Sequence, residues 1–109
     1  MGKMIFTAGQ IPVNPGSGTI EEAEVTGQTM RVMENLAAIL KAAGAGLEDV
    51  VKTTVFLKEM RDFDEMNAIY GKYLSHRPAR TTVAVSALPK DALVEIECVA
   101  LAHESHEGK

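Results

Sequence analysis

Two strand-like runs late in the chain, residues 80–85 and 93–101, most constrain what the sequence can fold into. The connection between them, residues 86–91, contains Pro89, and the pattern predicts an antiparallel hairpin with a longer loop. Period-two alternation puts Thr81, Val83 and Val85 on one face, and Val94, Ile96, Cys98 and Ala100 on the matching face of the second strand, where core is expected. The opposite faces carry Arg80, Thr82 and Ala84 against Leu93, Glu95, Glu97, Val99 and Leu101. That second face is too apolar to be simply wet and too charged to be a closed core. A register pairing Val85 with Ala92 sets Thr82 opposite Glu95 and Arg80 opposite Glu97, so one guanidinium and two carboxylates share a patch. Two readings stand side by side. The patch is a cross-strand ion pair on a solvated or subunit-covered face, or it is a carboxylate-gripping arginine with a neighbouring acid.

Upstream, Met4 to Gln10 reads as a strand ending at Gly9, a position that lets a ligand or another backbone come close, or that marks a bulge. A turn-rich loop, VNPGSGTI, follows. From Val25 to Ala43, Val32, Leu36, Ile39, Leu40 and Ala43 fall on one helical stripe widened by Met33 and Ala37, and Gly44 supplies the stop. The run VVKTTVFL is apolar on both faces and predicts a central strand. Asp62 with Glu65 forms a capping box for a second helix that buries Phe63, Met66, Tyr70, Tyr73 and Leu74, with Asn67 beside that face. Strand, helix, strand, helix, hairpin is the order of an α+β domain with a mixed sheet and both helices on one face. The uncovered face, with Leu93, Val99 and Leu101, is expected to be hidden by self-association.

Composition narrows the function. A chain of 109 residues makes one domain, and residues 103–109 read as a polar tail. Net charge is −4 with the basic residues scattered, which argues against nucleic acid as a partner. The N-terminus is too short and interrupted for a signal peptide and no apolar run reaches membrane-spanning length, so a cytoplasmic protein without membrane contact is expected. Cys98 is the only cysteine, and its neighbours on the strand make it a small buried hydrophobe and not a nucleophile. His76, His103 and His106 make no ligand set, so no metal site is expected.

The segments FTAGQIPVNPGSGTI, QTMRVMENLAAILKAAGAGLEDVVKTTVFLKEM, FDEMNAIYGKYL and RPARTTVAVSALPKDALVEIECVA resemble the RidA/YjgF family of imine deaminases, also known as L-PSP endoribonucleases. The resemblance spans residues 1–102. It implies a chorismate-mutase-like fold and a homotrimer with its sheets facing inward, three sites in the clefts between subunits, a 2-imino or 2-enamino acid as substrate, and no metal or organic cofactor. It also implies roles. Arg80 matches the arginine that holds the substrate carboxylate, and Glu95 the acid that positions or activates water. Thr82 stands where many members have Cys, so a role there rests on its hydroxyl or backbone carbonyl. Gly9 and Ala8 match the strand-end turn that meets the substrate through its backbone, and Asn67 a supporting position. A family strand ahead of GKMIFTAG, bearing a site tyrosine, has no counterpart in these residues. Two further readings are a trimeric protein that binds small carboxylates without turnover, and an endoribonuclease or translation inhibitor.

Overall fold

The computed structural model describes residues 2–103. Most of the tail expected over 103–109, His106 included, lies outside the described residues. The elements are β1 (Lys3–Phe6), β2 (Val13–Asn14), β3 (Thr19–Ile20), α1 (Val25–Ala42), β4 (Val50–Leu57), α2 (Phe63–Tyr73), β5 (Ala79–Ala84) and β6 (Val94–Ala102). Four strands form one mixed sheet in the order β1-β6-β4-β5, while β2 and β3 pair as a separate small hairpin.

The central strand is where the alternation places it. β4 runs antiparallel to β6 and parallel to β5, with a bulge at Val51. Thr53, Val55 and Leu57 face the helices, in register with Cys98, Ile96 and Val94 of β6. Val32, Met33, Leu36 and Leu40 of α1 and Met66, Tyr70 and Leu74 from the α2 side close over them in one buried cluster. Gly44 takes φ +87 just past α1, which stops the helix where glycine alone pays no steric penalty.

Several expectations are corrected. β5 and β6 form no hairpin: β4 lies between them, and β5 pairs only with β4, through the crossover that α2 makes. The face of β5 is also reversed. Arg80, Thr82 and Ala84 pair with Thr53, Val55 and Leu57 and so point to the helix side, while Thr81 and Val83 are exposed on the other. Glu95 and Glu97 remain on the bare face, opposite Phe56 and Thr54, so the shared patch of one arginine and two acids does not exist within a chain. Leu93 leaves the bare face and packs against the core, its N–H donating to Gln28 Oε1 at 2.8 Å. β1 ends at Phe6, and Gln10 rejoins β6 only through a single bridge to Ile96. Ile39 sits at the rim of the α1 stripe and is exposed, and Asp62 precedes α2 without a side-chain cap.

With both helices on one side, the other face stays open. Met4, Phe6, Val83 and Leu101 are exposed there, Phe6 at 72%.

Cys98 is buried as the alternation predicts, with Thr7 Oγ1 accepting from its N–H at 3.0 Å. Burial pushes its thiol, and the Tyr70 phenol, above their ordinary values of 9.0 and 10.0. A raised folded-state value means the folded chain holds these protons longer than the unfolded one. Their contribution to stability is therefore intact below pH 9.0 and lost as pH rises, Cys98 before Tyr70. We predict a denaturation midpoint that falls above about pH 9, and slow labelling of Cys98 in the native state with fast labelling after unfolding. Rapid native labelling would place the thiol on the wrong face.

Candidate functional site

Arg80 is held on the helix side by one hydrogen bond and two aromatic rings. It stands on the edge strand β5, where its side chain runs across α2. Its Nη1 donates to Asn67 Oδ1 at 2.6 Å, and its guanidinium lies 4.6 Å from the centre of the Tyr70 ring and 5.3 Å from that of Phe63. These three partners fall at 63, 67 and 70, the i, i+4, i+7 stripe of one helical face. Tyr70 is itself pinned, since its hydroxyl and Thr53 Oγ1 share a buried hydrogen bond of 2.7 Å. Stacking on two rings holds a guanidinium while leaving its N–H edges free. Among the described residues only one of its five N–H groups is engaged.

A cleft of about 650 Å³ opens beside it, lined by Asn67, Tyr70, Ser75, Arg77, Pro78 and Arg80. Among the described residues no carboxylate lines this cleft.

Thr82 follows Arg80 on the same face, and its Oγ1 is buried without a hydrogen-bond partner. Leaving such a hydroxyl unbonded costs about 1–3 kcal/mol.

Glu95 and Gly9 form a second group, away from the first. The Gln10–Ile96 bridge brings Gly9 against Glu95, so closely that a Cβ on Gly9 would collide with the Glu95 carboxylate. Gly9 therefore does more than let a backbone approach: it gives this carboxylate its place. Gln10 donates to the Ala8 carbonyl at 3.2 Å, and Ala8 is exposed at the same turn. The structure thus brings Arg80 together with Asn67, and Glu95 with Gly9, but not one pair with the other. Phe63, Tyr70 and Arg77 were not singled out by sequence reasoning as site residues. The helical stripe 63/67/70 is the signal that points to the first two.

The fold is shared with known proteins. Residues 1–102 match the family described as endoribonuclease L-PSP. The chain belongs to the RidA/YjgF family. A RutC family protein of Pyrococcus abyssi is 52% identical over 101 residues, covering 92% of this chain and 80% of the relative. The 2-iminobutanoate/2-iminopropanoate deaminase of Escherichia coli K12 is 45% identical over 105 residues, covering 93% and 81%. Among solved structures, E. coli TdcF with bound serine superimposes with a TM-score of 0.87 at 39% identity, over 94% of this chain and 86% of that one.

The Gly9 contact yields a test. The Glu95 carboxylate is the far end of a flexible side chain, and Gly9 does not have the left-handed backbone that would forbid a side chain. Gly9→Ala should change unfolding free energy by no more than about 0.5 kcal/mol, while moving the Glu95 carboxyl resonance in an NMR spectrum. A large loss of stability with that resonance unmoved would contradict the contact.

Proposed function

We propose that the protein hydrolyses reactive 2-imino and 2-enamino acids, such as 2-aminoacrylate, to 2-keto acids and ammonia in the cytoplasm, at clefts between subunits of a homotrimer. The observation that carries this reading is the Arg80 guanidinium, fixed by Asn67, Tyr70 and Phe63 with its remaining N–H groups open to a cleft free of carboxylates. A fork held in that way suits the two oxygens of a substrate carboxylate. The E. coli relative's name supports the activity.

Arg80 and Glu95 lie on opposite faces of the sheet with β4 between their strands, so one chain does not present both to one ligand. A second copy supplies what is missing. Its bare face, with its own Met4, Phe6 and Leu101, packs at the first copy's β5 edge and carries its Glu95 toward the first copy's Arg80. In that cleft Glu95 takes a proton from water as the oxygen adds to the carbon of the protonated imine, giving a neutral carbinolamine. Glu95 returns that proton to the nitrogen, the C–N bond breaks to release ammonia, and the carbinolamine hydroxyl gives its own proton to Glu95 as the keto group forms. An enamine enters this route after tautomerising to the imine. Gly9 and Ala8 border the substrate with backbone, Asn67 steadies Arg80, and the Thr82 hydroxyl offers its unsatisfied bond. No cofactor takes part. Because imines hydrolyse in water unaided, placement of carboxylate and water supplies much of the rate gain.

The solved structure with bound serine favours a second reading, a carboxylate-binding protein without turnover. Turnover of freshly generated 2-aminoacrylate, run beside ligand-binding and RNA-cleavage assays, separates these readings. We expect imine turnover and no cleavage of RNA; tight binding with no turnover would favour the second reading.

Arg80→Ala should nearly abolish turnover, and Arg80→Lys, which keeps charge but loses the fork, should lower it about ten- to a hundredfold, for a lost contact of about 1.5–3 kcal/mol. Glu95→Gln should lower turnover while carboxylate binding persists. If Arg80→Ala unfolds the chain while activity per folded molecule is unchanged, the arginine is only structural. For assembly, light scattering should report three chains per particle, and a stable monomer would remove the basis for a shared cleft.

A further inference from the structure

The cleft beside Arg80 holds a second cation that the proposed reaction does not use. Arg77 lines the same wall, three residues before Arg80, with Ser75 and Pro78 between the helix end and β5. The chain carries 15 acidic and 11 basic residues, yet among the described residues this one surface has two arginines and no acid. Neither ion pair formed among the described residues, Arg31–Glu34 or Lys58–Asp91, engages Arg77 or Arg80.

The backbone at Arg77 is unusual. Its φ is +57, in the left-handed region, with its N–H donating to the Leu74 carbonyl at 3.1 Å. Glycine occupies that region freely, and a residue before proline is steered toward extended conformations, so a side chain here is held against two local preferences. Strain of this kind persists where the surroundings or a function fix it. Here it sets a guanidinium on the wall of a cleft that already has one.

We propose that the cleft prefers a dianionic substrate: a 2-imino acid whose side chain ends in a second carboxylate, the imine of an acidic amino acid, with Arg80 on the α-carboxylate and Arg77 on the distal one. The inference rests on the reading of Arg80 as the carboxylate clamp and adds the substrate class. A monocarboxylate leaves Arg77 facing water, where it contributes nothing to binding; a dicarboxylate gives it a charge-assisted partner.

The test compares 2-iminoglutarate with 2-iminobutanoate, each generated in the assay by oxidation of its amino acid, and in parallel the calorimetric binding of 2-oxoglutarate and 2-oxobutanoate to the full chain. The expected result is a preference of about ten- to a hundredfold for the dicarboxylate in kcat/KM and in Kd. Arg77→Gln should remove that preference mainly through KM, and Arg77→Lys should keep part of it. Arg77→Gly, which suits the backbone better, should lose the preference while unfolding at or above the original midpoint, so misfolding cannot account for the loss. Arg80→Lys should weaken both acids alike. An unchanged ratio in Arg77→Gln, or an original chain that favours the monocarboxylate, overturns the proposal. If neither imine is hydrolysed but 2-oxoglutarate still binds better through Arg77, the dianion site stands and the deaminase reading falls. Hydrolysis of 2-iminobutanoate without a dicarboxylate preference gives the converse.

Discussion

The architecture depends on β4 lying between β5 and β6. A parallel partner cannot follow a strand through a tight turn, so the chain leaves β4, crosses as α2 and returns on the far edge as β5. That return puts Arg80 at a sheet edge under the very helix that has just crossed, within reach of Phe63, Asn67 and Tyr70. α1, in the connection that leads into β4, packs on the same side as α2, which leaves Phe6 and Leu101 in the open.

Much of this was legible in the sequence. The stripe Val32, Leu36, Leu40 gave α1, and Gly44 its end; VVKTTVFL, apolar on both sides, gave the central strand with the bounds observed. What failed was pairing. Two alternating runs joined by a short Pro-containing segment look the same whether they pair with each other or receive a third strand between them, because alternation reports faces and not neighbours. The face of β5 failed for a related reason. Thr81, Val83 and Val85 look more like core than Arg80, Thr82 and Ala84, but in a single chain Val83 lies on the open surface, and the side facing the helices carries the arginine.

The candidate site divides along the same line. Arg80, Glu95, Gly9 and Asn67 stand out from strand faces, a strand-end glycine and a helix face, and the contacts join them in pairs: a bond between Arg80 and Asn67, and close approach between Glu95 and Gly9. The sequence pattern held no sign that the two pairs occupy opposite faces. Nor did it mark Arg77, whose interest lies in a backbone angle that no residue count discloses.

The packing around Arg80 also decides when a cost is met. Ordering a free arginine side chain takes about 2 kcal/mol of rotamer entropy. Two rings and an amide impose that order during folding, before any ligand arrives. An anion entering the cleft meets a guanidinium that has little freedom left to lose, so more of its contact energy appears as affinity. Arg77, exposed at the same cleft, has no such bed among the described residues and must surrender its own freedom on contact. Of two chemically identical groups, one is a fixed anchor and the other an adjustable arm, and the difference was set by the three residues of α2 that lie beneath the first.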